Sequence, residues 1–444
     1  MSSDIVVKRG LDLKLVGKSA LKIAAPKSTS DFSIYPSDFH GVFPKLLVKE
    51  NDKVKAGDIL FFDKNSERVK FASPVSGKIS EIVRGERRKV LELKIKADKN
   101  ISFRKLSKFE DNADSFKEFL LESGLWVFVK QRPYDVIADP NSSPKDIYIS
   151  GFDSSPLSAD YEFITKGYED KIEIALKYIS KLTNGSVNIS IRKETDGFLK
   201  KLSGVKVHNV SGPHPSGNLS TIINSLSPIN KGDVIWTLNL PDLIIIGDAI
   251  LNSKFNAERI IAICGSSISE PKYYKMIIGS KISSYLKLNE KNSRIISGNV
   301  LTGTKISHDG NLRFYSNEIT AIPEGNDYDL FGWAKPMFNK FSLSRALTFS
   351  WLFPNKKYNL NTNTNGEHRA FVVSGSFEEV FPLNIYPLQI LKACMYKDLD
   401  EMEALGMYEV APEDFALTEF ICVSKQPHQN IIREGLDLMK KEIG

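Results

Sequence analysis

Between residues 42 and 95 the chain interrupts its β-branched runs with turn signals so often that neither a helix nor a long strand fits. Leu46–Val48 alternates into Lys49-Glu50-Asn51-Asp52, and Val54-Lys55-Ala56-Gly57-Asp58 forms a second turn before the apolar run Ile59–Phe62. Ser73-Pro74-Val75-Ser76-Gly77 is a third turn, followed by Lys78–Val83. Short strands at this spacing predict a small β-barrel or sandwich. The densest basic cluster, Arg84–Lys89, reads as the solvated tip of a hairpin within it.

The rest of the chain follows other periods. Phe109, Phe116, Phe119 and Leu120 lie near helical spacing and predict a helix over 101–125. From Asp146 strands and helices alternate: Ile147–Ser150, an amphipathic helix over Lys171–Leu182, Val187–Ile191, a short helix led by Leu199, and Val205–His208. That order predicts a parallel α/β layer. Leu243–Leu251, broken by Gly247 and Asp248, reads as a buried strand entering a turn. Residues 258–322 read as strands Arg259–Cys264, Tyr274–Ile278 and Arg294–Val300 with a helix over Lys281–Leu288, a pattern that suits a β-grasp unit. Residues 326–375 are rich in aromatics, and from Phe377 the pattern is helical. No internal repeat or low-complexity segment is present.

Composition excludes several classes. The 444 residues suffice for two to four domains, and 41% hydrophobic and 26% charged residues are ordinary globular values. A net charge of +6 is spread over the chain and lacks the patch with stacking aromatics of a nucleic-acid binder. Cys264, Cys394 and Cys422 have no metal-ligand spacing, which argues against zinc or iron–sulfur sites. Met1–Lys8 lacks the apolar core of a signal peptide, and no run reaches the roughly 20 apolar residues of a membrane span.

Motif reading is sparse. No G-x-G-x-x-G follows a strand, and Gly298–Lys305 departs from a phosphate-binding loop because Thr304 stands where the lysine belongs. Glu378-Glu379 and Glu401 with Glu403 read as solvated helix surface. The loop Ser211-Gly212-Pro213-His214-Pro215-Ser216-Gly217 joins a strand to a helix starting near Leu219. Free N–H groups at such a helix start suit an anion or a quinone carbonyl, and His214 between two prolines is placed to donate a proton near neutral pH. The competing reading is a plain strand-to-helix turn. The aromatic set of Tyr328, Phe331, Trp333, Phe338, Phe341, Phe349, Trp351, Phe353 and Tyr358 reads either as core or as a docking face for a membrane-embedded partner.

Two resemblances sharpen these expectations. "VKENDKVKAGDIL…ASPVSGKI" resembles the lipoyl/biotinyl barrel, with Asp63-Lys64 near the place of the modified lysine, although the residues around Lys64 do not match the recognition context. Over essentially the whole chain, "IVVKRGLDLKLVG", "RPYDVIADPNSSPKDIYISGFDSSPL", "SGPHPSGN", "RIISGNVLTG", "FGWAKP" and "GEHRAFVVSG" look like the NqrA family of the Na+-translocating NADH:quinone reductase. That resemblance, with its likeness to the NADH-binding flavoprotein subunit of complex I and to the Rnf C subunit, implies a mixed α/β multidomain fold. The expected units are an N-terminal segment and barrel-sandwich (lipoyl-like) domain over 1–100, a Rossmann-like domain over 101–255 and a β-grasp SLBB-type domain over 256–325. An aromatic connecting segment over 326–375 and a helical, degenerate ferredoxin-like domain without Fe–S clusters over 376–444 complete it.

The resemblance also implies lost cofactors. Where flavin-binding relatives carry a Gly-rich loop, Ser123–Phe128 brings Trp126 and Phe128, too bulky for close backbone approach to a phosphate. Of the cluster cysteines only Cys422 stands in a cluster-like position, so Cys394 and Cys422 are expected to be buried apolar residues. The chain is thus expected to bind no FMN and no Fe–S cluster, with FAD, FMN, riboflavin and Fe–S centres held by other subunits. The implied role is peripheral, on the cytoplasmic side of the bacterial inner membrane, with subunits B–F as partners and B as main contact. It would contribute to quinone binding and to the ubisemiquinone-to-ubiquinol step coupled to Na+ export. A cofactor-free structural adaptor is the alternative, and no nucleic acid is expected. No catalytic or metal-binding residue is assigned; Gly212, His214 and Trp333 are the quinone candidates, chosen from loop chemistry and stacking potential.

Overall fold

The structure, a computed structural model, describes residues 3–327, 330–332, 335, 338, 340–345 and 347–444, with the side chains of 347–349 excepted. Tyr328 and Trp333 lie outside the described residues.

The turn-punctuated region folds into two facing sheets. One has the order 31–34, 90–97, 77–84, 53–54, the other 44–46, 59–63, 66–72. Inward-facing Phe61 and Phe71 stack at 4.4 Å, and Leu60, Val69, Ile79, Leu93 and Ile95 complete the filling. Each such ring or branched side chain contributes about 1.5–3 kcal/mol by leaving water. Arg84–Lys89 is indeed the turn of the 77–84/90–97 hairpin. At the 59–63/66–72 turn, the Asp63 carboxylate accepts the N–H groups of Phe43 (3.0 Å) and Asn65 (3.1 Å), while Lys64 is exposed.

The α/β unit is a seven-stranded sheet ordered 4–6, 206–211, 187–192, 146–150, 235–239, 130–132, 136–137. The first five strands are parallel, and 130–132 pairs antiparallel with both 235–239 and 136–137. Both faces are covered, which is why its central strands read as unbroken apolar runs. Ile147 and Ile149 face helices Glu169–Ile179 and Leu240–Asn252; Tyr148 faces helix Leu219–Leu226 and the C-terminal helices. The expected strand at 243–251 is therefore corrected to a helix. Its near-continuous apolar run reflects burial between sheet and neighbouring helix, which periodicity alone cannot tell from a strand. Gly247 is where the two helices touch: an added Cβ would stand 1.9 Å from the Lys171 carbonyl oxygen.

The expected helix over 101–125 is confined to Ala113–Glu122, capped by the Asn112 side chain accepting the Ser115 N–H at 2.8 Å. Residues 101–112 instead run extended past the barrel, the Arg104 N–H donating to the Ala56 carbonyl.

A third sheet runs 304–306, 293–297, 318–323, 258–264, 272–277, 20–23. The helix expected over 281–288 is absent. Those residues form turns, with Ile282, Tyr285 and Leu286 filling a small core at a spacing that imitates a helix. The C-terminal region consists of helices Phe377–Val380, Pro387–Tyr396, Leu399–Ala404, Ala416–Ile421 and His428–Glu442 with short turns between them. Cys394 and Cys422 are buried in its core, and Cys264 in the third sheet.

The N-terminal thirty residues link these units. Asp4–Val6 pairs with Asn209–Ser211, Leu15 bridges to Tyr358, and Ala20–Ile23 forms the edge of the third sheet. The Arg313 guanidinium bonds Asp38 at 2.6 Å, and the Tyr315 hydroxyl donates to the Val127 carbonyl at 2.7 Å, joining third unit to barrel and to α/β unit.

Candidate functional site

Strands 146–150, 187–192 and 206–211 step outward in chain order, and the chain then crosses back to place 235–239 on the other side of 146–150. Such a reversal opens a crevice at the carboxyl ends of parallel strands. A cleft of about 100 Å³ occupies that place. Ser150 and Asn239 end the two strands at its floor, and Asn218 and Leu219 begin the helix beside it. The loop after the 146–150 strand adds Phe152, Asp153 and Ser155. Asn299 and Thr302 of the third unit and Glu413 of the C-terminal region form the far wall.

His214 lines this cleft and is 4% exposed. Its loop is fixed from the N-terminal segment: the Leu11 N–H donates to the His214 carbonyl (2.8 Å) and the His214 N–H to the Asp12 carboxylate (2.9 Å). Gly10 permits that approach, since a Cβ there would stand 2.2 Å from the His214 carbonyl oxygen. Gly212 sits in the same loop at φ 126°, where a Cβ would meet the Val7 carbonyl at 2.1 Å. Gly212 therefore serves the packing of the first strand and is not a cleft-lining residue, whereas His214 is one.

The histidine's chemistry differs from the expectation. Burial, with the Arg192 charge nearby, lowers its pKa to about 4, so it is neutral near pH 7 and no proton source there. Its Nδ1 lies 2.9 Å from the Ser154 hydroxyl, which also accepts the Gly217 N–H at 2.8 Å. In the tautomer whose proton is on Nε2, the Ser154 hydroxyl donates to Nδ1; in the other, Nδ1–H donates to that hydroxyl and Nε2 is an acceptor. Nε2 is buried and has no hydrogen-bond partner among the described residues, and the Ser155 hydroxyl, 7% exposed, has none besides the neighbouring Asp153 carboxylate. Unpaired buried donors cost about 1–3 kcal/mol each unless a ligand or water meets them.

The carboxyl groups complete the site. Asp153 accepts the Ser155 N–H at 2.7 Å, and burial raises its pKa. Glu318, 3% exposed at the start of the 318–323 strand, accepts the Ala159 N–H at 2.9 Å; burial, reinforced by Asp153, pushes it up to about 8. Glu413 bonds the Arg132 guanidinium at 3.0 Å. The Asn299 side chain closes its own turn by accepting the N–H groups of Leu301 (2.8 Å) and Thr302 (2.9 Å).

Of the sequence candidates, the structure places His214 in the cleft wall; Asp153, Ser155, Tyr161 and Glu413, which line it too, were not singled out in the sequence. Asp153–Ser155 stands inside "YISGFDSSPL" and Asn299–Thr302 inside "SGNVLTG", so the irregular strings were the signal. Trp126 and Phe128 are wholly buried, Trp126 packing edge-on against Trp236 at 5.1 Å. Among the described residues no group of three or more His, Cys, Asp or Glu side chains is arranged to hold a metal ion, and no helix is long and apolar enough to cross a membrane.

Fold and cleft together define a multidomain α/β protein with a cleft at the switch point of its sheet, walled by two further units. Three family domains match in order: the NqrA N-terminal barrel-sandwich hybrid domain over 5–98, the NqrA second alpha/beta domain over 112–255, and the NqrA C-terminal (SLBB) domain over 260–308. The NqrA protein of the Na+-translocating NADH-quinone reductase of Haemophilus influenzae is 34% identical over 99% of this chain and all of its own length. Those of Neisseria meningitidis and Vibrio atlanticus are 32% and 33% identical over the same shares. An NAD+-reducing [NiFe]-hydrogenase aligns over 41% of each chain at 10% identity with a TM-score of 0.34. The chain belongs to the NqrA family of the Na+-translocating NADH-quinone reductases, and so forms part of a translocating oxidoreductase complex.

Proposed function

We propose that this chain contributes a binding site for the quinone headgroup to its complex, and that the cleft around His214 is that site. The observation that carries this reading is the buried His214 Nε2, which lacks a hydrogen-bond partner among the described residues and lines one cleft together with Ser155. A quinone headgroup offers only oxygen acceptors, and a donor-rich wall complements it. Phe152 and Tyr161 give the ring apolar surface, and Asn218, Asn239, Asn299 and Thr302 offer further donors. In this reading the quinone is a substrate, electrons arrive from flavin and Fe–S groups of other subunits, and this chain holds no redox group itself. It takes part in the ubisemiquinone-to-ubiquinol step, coupled to Na+ export by subunits B–F. Its place is peripheral, on the cytoplasmic side of the membrane. A Rossmann-like lineage for the α/β unit and a degenerate ferredoxin-like lineage for residues 376–444 fit the same reading, with boundaries near 100, 255, 325 and 375. Trp333 stays a stacking candidate.

Titration with a water-soluble short-chain ubiquinone, followed by calorimetry, tests it. Saturable binding near one per chain, weakened roughly tenfold or more in His214→Ala and Ser155→Ala, is expected if each donor is worth about 1–3 kcal/mol. Equal binding in all three proteins removes the cleft from consideration. The adaptor reading is favoured by a different observation: Trp351 (61% exposed) and Phe353 (58% exposed) project from the aromatic segment, a surface suited to a protein partner. It becomes the better account if the quinone does not bind and truncating those rings releases the chain from the complex.

A further inference from the structure

The stretch 330–366 contains no Asp or Glu, although at the chain's overall frequency of 54 in 444 about four or five would be expected. It carries five basic residues: Lys335, Lys340, Arg345, Lys356 and Lys357. One side of the stretch is fastened to the fold. Phe341 packs against Tyr358 at 5.7 Å and Phe420 at 5.6 Å, and joins the small core of Leu13, Val380 and Leu417. The Tyr358 N–H donates to the Lys14 carbonyl at 2.7 Å, and Lys14 Nζ donates to the Asn355 side chain at 2.9 Å. The other side faces solvent. Leu330, Phe338, Trp351, Leu352 and Phe353 are between 52% and 75% exposed, and Lys335, Arg345 and Lys357, interleaved with them in sequence, are exposed too. Lys356 Nζ donates to the Phe338 carbonyl, which draws the two halves of the stretch together. Large apolar side chains gathered on an anchored, solvent-facing segment mark an interaction surface.

Protein partners and lipid surfaces both take aromatic faces, and the basic residues decide between them. The core of a protein–protein interface is depleted in lysine. A segment seated at a bilayer surface combines Trp, Phe and Leu with Lys and Arg. Its rings enter the headgroup region, while the long basic side chains keep their charges at the phosphates. Four of the five basic residues here are lysines, and the stretch holds no carboxylate to offset them. We propose that residues 330–358 are a membrane-surface anchor whose occupant is anionic lipid of the bilayer around the complex. The exposed rings and leucines sit among the headgroups, and Lys335, Arg345 and Lys357 meet lipid phosphates. The contact is shallow, because the charges interrupt the apolar residues and no helix among the described residues is long and apolar enough to cross a membrane. Phe341 and Tyr358 tie the anchor to the C-terminal region and to the N-terminal segment, so lipid contact orients both. The inference does not depend on the quinone reading.

The test is sedimentation of the full chain with two kinds of vesicle, phosphatidylcholine alone and phosphatidylcholine mixed with phosphatidylglycerol. Saturable binding to the mixed vesicles, absent on phosphatidylcholine and weakened by added salt, is expected. A Lys or Arg near an anionic surface strengthens binding about fivefold, so Lys335→Gln combined with Lys357→Gln should weaken it about 25-fold. Trp351→Ala combined with Phe353→Ala should weaken it comparably. All four side chains are exposed, so both variants should keep the parent's circular dichroism and melting temperature. Equal binding to the two kinds of vesicle would overturn the proposal, because the basic residues would then play no part. Undiminished binding of both variants to the mixed vesicles would assign it to the chain's general positive charge and not to this face. If the parent ignores both kinds of vesicle while Trp351→Ala with Phe353→Ala releases it from the complex, the face belongs to a protein subunit and the lipid anchor is wrong.

Discussion

Replacing Glu318 by Gln should stabilise the protein, by an amount that grows with pH. The acid titrates at an ordinary value of 4.5 when unfolded and at about 8 when folded. Its folded pKa is the higher one, so its contribution is fully present below 4.5 and is lost as pH rises towards 8. Each unit between these limits costs about 1.4 kcal/mol, which amounts to about 3 kcal/mol at pH 7 and about 4 kcal/mol at pH 8. Glutamine has the shape of the neutral acid. Its carbonyl can accept the Ala159 N–H, so the substitution removes the titration and keeps that hydrogen bond. Hydrogen exchange of the Ile319–Ile322 amides reads the local stability of this strand, corrected for intrinsic rates at about pH 5 and about pH 8. Parent and variant should protect these amides almost equally at the lower pH, and the variant should protect them far better at the higher. A difference that does not change with pH, or a variant less protected at both, would refute the assignment of Glu318 as a buried neutral acid.

Other substitutions probe the frame around the cleft. Gly247→Ala places a Cβ 1.9 Å from the Lys171 carbonyl oxygen and forces two helices apart, for an expected loss of about 1–3 kcal/mol and a lower melting temperature. Asp242→Asn removes the carboxylate opposite Arg259 in a pair whose side chains are both buried; Arg259 keeps its 2.9 Å bond to Asn317 but loses its counter-charge, a cost of about 3–5 kcal/mol seen as a lower denaturation midpoint. Cys264 and Cys394, whose thiols burial pushes up to about 12, and the equally buried Cys422 should resist iodoacetamide in the native protein and react on unfolding; fast labelling of the native protein would contradict their burial.

The fold was legible where a local period had one interpretation. Turn signals every few residues left 42–95 no option but short strands, and alternation from 146 to 211 announced a parallel sheet. It was misread where burial erased the period. Leu243–Leu251 is apolar all round because the helix is covered on most sides, and Ile282, Tyr285 and Leu286 imitate a helix because irregular turns place them on one small core. The site was legible only in part. His214 stood out because prolines flank it, but its protonation depends on burial by residues remote in sequence. Asp153, Glu318 and Glu413 are separated by 165 and 95 positions, and each alone looks like an ordinary acidic residue. Only the packing of separate units brings Asp153 and Glu413 to one cleft and encloses Glu318.

That dependence gives the N-terminal segment a role its composition does not suggest. Residues 4–23 touch the α/β sheet, the His214 loop, the C-terminal region and the third sheet in succession, through Asp4–Val6, Leu11 to the His214 carbonyl, Gly10 to the Glu379 carbonyl, and Ala20–Ile23. A segment with so little core of its own is held by what it joins, and it joins the units whose contact forms the cleft. Gly212→Ala should act through it. The added Cβ meets the Val7 carbonyl at 2.1 Å, in a backbone conformation that already disfavours a side chain, and pushes the first strand from its partner. Early proteolytic cleavage before residue 20, with quinone affinity lowered as the His214 loop loses its anchor, is the expected result. An intact, protected N-terminus in that variant would mean that the strand is held by its neighbours without this contact, and that the loop's position is set by the α/β sheet alone.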